Sequence, residues 1–229
     1  MYIIDSARTP FLRARGRPGK FSASDLALNA ARPLMLRQPF EATDLDEVIL
    51  GCIVPAANEA NIARVVSLRL GCGHSVPAWT VQRNCGSGLQ AVDSAFRNIA
   101  NGYSSLVLAG GTEAMSHAPL MLNRHMVEWL SDFTRARSVV EKLKCLARFR
   151  PGHLKPVISL LLGLTDPVVG LSMGRTAEIL ADRFGISRSD MDAFAVDSHL
   201  RLLAARKEGR LDEIEAIFDQ KGTLYEEDD

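Results

Sequence analysis

The first half of the chain alternates between stretches of two different apolar periods. Glu47-Val48-Ile49-Leu50-Gly51-Cys52-Ile53-Val54 is a nearly unbroken apolar run and predicts a strand buried on both faces. Residues 2–5, 77–82 and 106–109 also read as extended, the last closed by Gly110-Gly111. Helical spacing fills the intervals. Residues 24–36 carry Asp25 in their first turn, and residues 61–70 stop at Gly71, a suitable C-cap. From Ser87 the apolar positions Leu89, Val92, Phe96 and Ile99 recur at helical spacing, ending near Asn101-Gly102. This order predicts an α/β layer fold with a mainly parallel sheet.

The alternation breaks after about residue 120. Between Leu120 and Pro156 lie eight basic residues (Arg124, Arg135, Arg137, Lys142, Lys144, Arg148, Arg150 and Lys155) against three acids, Glu128, Asp132 and Glu141. An insertion of this kind reads as a cap or loop module, its charge either meeting phosphates, anionic lipid or a partner, or forming a solvated face. Helical spacing resumes over residues 176–184 and closes at Gly185. Ser187 then opens a helix reaching Glu208, with Asp190 completing a capping-box pattern. The expected organisation is therefore 1–119, a basic insertion over 120–171 facing ligand or partner, and a helical continuation over 172–229.

Composition narrows the chemistry. The 27 basic and 27 acidic side chains of the 229 residues cancel, which argues against a general nucleic-acid binder. The four cysteines, Cys52, Cys72, Cys85 and Cys145, form neither a disulfide framework nor a C-x-x-C metal pair, so a reducing compartment is expected. No secretory leader pattern opens the sequence, and its longest apolar stretch, residues 157–164, is far short of the roughly 20 residues a membrane span needs.

Cys85 is the main chemical candidate. It lies in Asn84-Cys85-Gly86-Ser87-Gly88-Leu89-Gln90-Ala91, between an extended run and a helical one. Unpaired N–H groups and the positive end of the helix dipole favour thiolate over thiol at such a place. Gly86 and Gly88 remove bulk beside the sulfur, so a carbonyl can approach and backbone N–H groups can point at it. A buried structural cysteine in a glycine-bearing turn is the competing reading.

These residues resemble the thiolase family. The stretch Asn84–Ala91 is similar to its acyl-accepting motif, and Gly110-Gly111-Thr112-Glu113-Ala114-Met115-Ser116 is similar to its second signature. Met173-Gly174-Arg175-Thr176-Ala177-Glu178, Phe184-Gly185-Ile186-Ser187-Arg188 and Arg8-Thr9-Pro10-Phe11 also fit, in family order. Phe149-Arg150-Pro151-Gly152 and Gly163-Leu164-Thr165-Asp166-Pro167 look most like the thiolase subunits of fatty-acid β-oxidation complexes. The resemblance implies one αβα half of a layered αβαβα fold. It also implies cleavage of 3-ketoacyl-CoA, or the reverse condensation, through an acyl group on Cys85, with coenzyme A as substrate and no covalently bound cofactor. It further implies a homo-oligomer, such as a homodimer, and a hydratase/dehydrogenase partner subunit. The location implied is the cytoplasm or an organelle matrix, with peripheral contact to a membrane left open.

The same resemblance marks what the sequence lacks. The family's Gly-His-Pro and Cys-x-Gly-x-Gly motifs are absent, since His153 follows Gly152 but precedes Leu154. Asn58-Glu59-Ala60 spells the asparagine motif on the wrong side of Cys85 and reads as coincidence. The chain thus looks like an amino-terminal half, expected to expose an apolar helix face and to turn over negligibly alone. Ser172-Met173 stands where the family often carries His-Met near the thioester end of CoA, so both are candidate substrate contacts, and a packing methionine is the alternative. Glu113 reads as structural, Arg64 as a solvated side chain or an interface partner, and no histidine has metal spacing. A non-catalytic interaction fragment, a β-ketoacyl synthase-like condensing enzyme and a redox-active cysteine protein remain as rival readings.

Overall fold

The computed structural model describes residues 2–14 and 16–229. The chain divides into two compact units, one running up to His117 and including Met191–Asp229, the other Ala118–Asp190.

In the first unit the order is helix α1 (Ala23–Leu36), strand β1 (Glu47–Gly51), α2 (Ile62–Leu70), β2 (Ala78–Val81), α3 (Ser87–Ala100) and β3 (Val107–Gly111). Strand β1 is central and pairs in parallel with both neighbours, Ile49 opposite Trp79 on one side and Ala109 on the other. Alternation along β1 divides its side chains between two layers. Val48, Leu50 and Cys52 pack with Ala23 and Met35 of α1 and with Ile62, Ala63 and Val66 of α2. Ile49 faces the other way, onto Ala91 and Ala95 of α3. The three layers are therefore α1 and α2, the parallel sheet, and α3, one αβα sandwich. Val48 and Ile49 have no exposed surface, so the sheet centre is where the apolar driving force is concentrated.

Caps account for most helix ends. The Ser22 hydroxyl accepts from the Asp25 N–H while the Asp25 carboxylate accepts from the Ser22 N–H, which starts α1 at residue 23. Asn61 caps α2, and Gly71 ends it at φ 93°, a left-handed conformation that glycine adopts without steric cost.

Two extended stretches fall short of their sequence patterns. Residues 2–5 form no strand, and Tyr2, Ile3 and Ile4 are exposed. That segment is held by polar groups instead: Asp5 accepts from Arg37 Nε and Gln38 Nε2, and the Arg8 backbone exchanges hydrogen bonds with Glu213 and Glu215. The apolar run over residues 47–54 leaves the ladder after Gly51, because the N–H groups of Ile53 and Val54 turn to the Glu113 carboxylate.

The second unit begins with β4 (Leu120–Met121), α4 (Arg124–Arg135) and α5 (Val139–Ala147), followed by β5 (Val157–Ile158), α6 (Ser159–Gly163) and α7 (Met173–Phe184). Strands β4 and β5 pair antiparallel. Asn123 caps α4 and its amide also reaches the carbonyls of Gly152, His153 and Lys155. Trp129 stacks on Phe133 and meets Phe149 edge-on, while its indole N–H donates to the Cys145 carbonyl. Helix α7 starts at Met173, three residues before its apolar pattern, because Ser172 caps it. Helix α8 (Arg188–Lys207) starts there with the expected Ser187–Asp190 capping box and runs on into the residues of the first unit, where the antiparallel pair β6 (Ile217–Phe218) and β7 (Leu224–Tyr225) closes the order.

Candidate active site

Cys85 is exposed and sits between the end of β2 and the start of α3. A tight elbow holds it there. Asn84 has φ 46°, the only left-handed non-glycine residue among the described residues, a conformation that asparagine tolerates better than most. The Gly86 N–H donates to the Arg83 carbonyl at 3.1 Å and the Ser87 N–H to the Asn84 carbonyl at 3.1 Å. The Arg83 guanidinium reaches forward to Gln90 in the first turn of α3.

Three glycines let the elbow approach the sheet. A Cβ on Gly51, at the end of β1, would lie 2.3 Å from the Ser87 carbonyl carbon and 2.6 Å from the Gly88 nitrogen. A Cβ on Gly111, at the end of β3, would lie 3.0 Å from the Gly88 Cα. The helix start is thus pressed against the carboxyl ends of β1 and β3, the edge of a parallel sheet at which α/β proteins place their ligands. Its N-cap, Gly86, offers no side chain, so the helix start is left without a side-chain acceptor.

The Gly110–Ser116 signature ties the surrounding loops together. The Thr112 N–H donates to the Gly51 carbonyl and its hydroxyl to the Ala23 carbonyl. The Glu113 carboxylate accepts from the Ile53 N–H at 2.8 Å, the structural role expected of it. The Ser116 hydroxyl accepts from the Gly19 N–H, and the His117 ring contacts the Gly19 carbonyl. Together these loops, the elbow and residues 7–14 enclose a cleft of about 830 Å³, with Cys85, Asn84 and Glu113 in its wall. That volume suits a small-molecule ligand or part of a larger one.

The three thiols of the unit differ in exposure. Burial, with the Glu113 carboxylate beside it, pushes the Cys52 thiol up to about 12, so Cys52 stays protonated. Cys72 is fully buried. Only Cys85 combines exposure with a helix start, and of the two thiols lining the cleft it is the accessible one.

The remaining sequence candidates have separate places. Ser172 and Met173 lie in the second unit, Ser172 as the α7 cap and Met173 exposed. Asn58 is exposed, whereas Glu59 is buried and accepts from the hydroxyls of Ser22 and Ser24 and the Ser24 N–H, so that tripeptide serves packing around α1. Arg64 is not a solvated side chain: its guanidinium donates to the Val76 and His74 carbonyls and braces the loop before β2. All eight basic residues of the 120–156 stretch are exposed. Among the described residues no cluster of histidine, cysteine or carboxylate side chains is arranged to hold a metal, and no helix is long and apolar enough to cross a membrane. Sequence reasoning missed Gly51 and Ser87. The glycine interrupting an apolar strand run was the signal for the first, since such a glycine marks a close backbone approach.

Comparison with known proteins follows the same geometry. The family profile described as "Thiolase, N-terminal domain" matches residues 1–229. A probable acetyl-CoA acyltransferase of Staphylococcus aureus is 34% identical over 206 residues, 90% of this chain and 47% of that protein. The mitochondrial trifunctional enzyme subunit beta of Bos taurus is 31% identical over 212 residues, 93% of this chain and 44% of that one. Among solved structures, human mitochondrial 3-ketoacyl-CoA thiolase in complex with CoA superposes with a TM-score of 0.79 at 32% identity, covering 98% of this chain and 52% of that one. The Acat5 thiolase of Ascaris suum in complex with coenzyme A gives 0.82 at 25% identity, covering 100% and 54%. The chain spans about half the length of the curated relatives it matches.

Proposed function

We propose, from the premise that this chain belongs to the thiolase family, that Cys85 accepts an acyl group from a coenzyme A thioester. The thiolate attacks the keto carbonyl of a 3-ketoacyl-CoA, and the bond between its α and β carbons breaks. The acetyl-CoA carbanion takes a proton and leaves as acetyl-CoA, and a second CoA then removes the shortened acyl group from sulfur. Donors aimed at the developing oxyanion lower such barriers, and the start of α3 offers backbone N–H groups without a side-chain acceptor.

The observation that carries this reading is the exposed sulfur of Cys85, set on a left-handed elbow in the wall of the 830 Å³ cleft. Likeness to relatives crystallised with coenzyme A supports the ligand class. The eight exposed basic residues of the 120–156 stretch give the second unit a cationic surface suited to phosphates or to an anionic partner. Likeness to a trifunctional enzyme subunit supports work within a multi-subunit assembly. The assembly proposed is a homo-oligomer joined to a hydratase/dehydrogenase subunit. These 229 residues carry neither a Gly-His-Pro nor a Cys-x-Gly-x-Gly motif, so this chain by itself takes up one acyl group without turning over.

Incubation with acetyl-CoA, followed by intact-mass and peptide mass spectrometry, tests the reading. One acetyl group is expected on Cys85 and none on a Cys85→Ala variant. Equal labelling of the variant, or no labelling of a chain whose Cys85 still alkylates with iodoacetamide, rejects it.

A further inference from the structure

We propose that Ser87 is the positioning residue for Cys85, acting through the backbone of Asn84. The proposal rests on the reading of Cys85 as the nucleophile. Ser87 is buried, with 4% of its surface exposed, and its hydroxyl makes two bonds at once. It accepts from the Arg83 N–H at 2.7 Å and donates to the Asn84 carbonyl at 2.7 Å. Those two groups bracket the left-handed residue, so one side chain staples both sides of the turn that aims Cys85 into the cleft. An asparagine released from that staple relaxes toward negative φ, which carries the sulfur of the next residue to a different direction.

The other capped helices show what is unusual here. In α1, α2, α4, α5, α7 and α8 the residue just before the helix supplies the capping oxygen, from Ser22, Asn61, Asn123, Ser138, Ser172 and Ser187, to an N–H three residues on. In α3 that place belongs to Gly86, and the serine stands one residue further in, its hydroxyl turned back to the elbow. This single-residue displacement has two effects. The cysteine is fixed, and the N–H groups at the helix start keep no side-chain partner that a substrate oxygen would have to displace. The Ser87 backbone cannot shift to compensate for a lost hydroxyl, because it already lies against Gly51.

The test is the rate of Cys85 alkylation by iodoacetamide in the full chain, read by peptide mass spectrometry with Cys145 followed in the same digest. Ser87→Ala removes two hydrogen bonds, and Cys85 is expected to react about tenfold more slowly, while the Cys145 rate and the protection of buried Cys52 and Cys72 stay unchanged. Ser87→Thr, which keeps the hydroxyl, restores the wild-type rate. A Ser87→Ala chain with the wild-type Cys85 rate overturns the proposal. If that variant does not fold, Asn84→Ala, which keeps Ser87 but penalises the left-handed turn, must slow Cys85 where Asn84→Gly does not, and equal rates for the two overturn it. The underlying reading fails separately, in the wild-type chain, if folded Cys85 alkylates no faster than the same cysteine in urea.

Discussion

The two units of the chain use apolar residues in opposite ways. In the first, the sheet and its helices sequester Val48, Ile49, Ile62, Val66 and Cys72 with essentially no exposed surface. In the second, Ala181 is the only buried apolar residue among those described, and Val139, Val140, Leu143 and Leu146 of α5 are all exposed. The first unit can therefore hold strained and close-packed features, such as the left-handed Asn84 and the contact between Gly51 and Ser87, because a core overdetermines them. The second unit is organised by local devices: a capping box at Ser138, the many-handed Asn123, and aromatic stacking around Trp129. Rigidity for the nucleophile comes from the first kind of construction. Exposed charge and exposed apolar surface come with the second.

Three substitutions sharpen that contrast. The largest effect is expected at Gly51→Ala, whose new Cβ would meet backbone atoms of Ser87 and Gly88 that cannot rotate away. A loss of about 4–5 kcal/mol in urea unfolding, the extreme for one substitution, is predicted. A near-wild-type midpoint would show that the elbow can move from the sheet. Next is a matched pair. Ile49→Ala, at a site with no exposed surface, should cost about 3 kcal/mol. Leu143→Ala, at a half-exposed position of α5, should stay within about 0.5 kcal/mol. Similar losses for the two would erase the distinction between the units.

A smaller effect than that of Gly51 or Ile49 concerns pH. Burial pushes the Glu59 carboxyl up, but the Ser24 and Ser22 hydroxyls and the Ser24 N–H outweigh it, and the net shift is below the ordinary value of 4.5. A carboxyl lowered by folding stabilises the fold fully above its unfolded value near 4.5, and that contribution disappears as pH falls through the lower folded value. Glu59→Gln should therefore cost about 1 kcal/mol at neutral pH. The difference from wild type should shrink on acidification below pH 4.5. A constant difference across that range would mean that the carboxylate charge is irrelevant to the network.

Much of this arrangement was readable from local pattern. The α/β order, the caps at Gly71 and Ser187, the helix opening at Ser87 and the nucleophile candidate all follow from spacing and turn chemistry. Residues 2–5 were misleading, because an apolar triplet has extended propensity whether or not a sheet edge pairs with it, and here Asp5 and Arg8 set its course. Arg64 was misread for a related reason: a charged residue on a short helix usually faces water, and nothing local announces that carbonyls of His74 and Val76 lie within reach.

Sequence alone determined which residue types stand where chemistry is possible, because helix periodicity, glycine positions and a cysteine at a strand-to-helix hinge are local properties. Tertiary structure alone decided that Gly51, Gly88 and Gly111 meet and that Glu113 turns the chain out of β1. Gly51 and Gly88, like Glu113 and Ile53, are tens of residues apart. Their contacts depend on how β1, β3 and α3 pack, which no window of sequence contains.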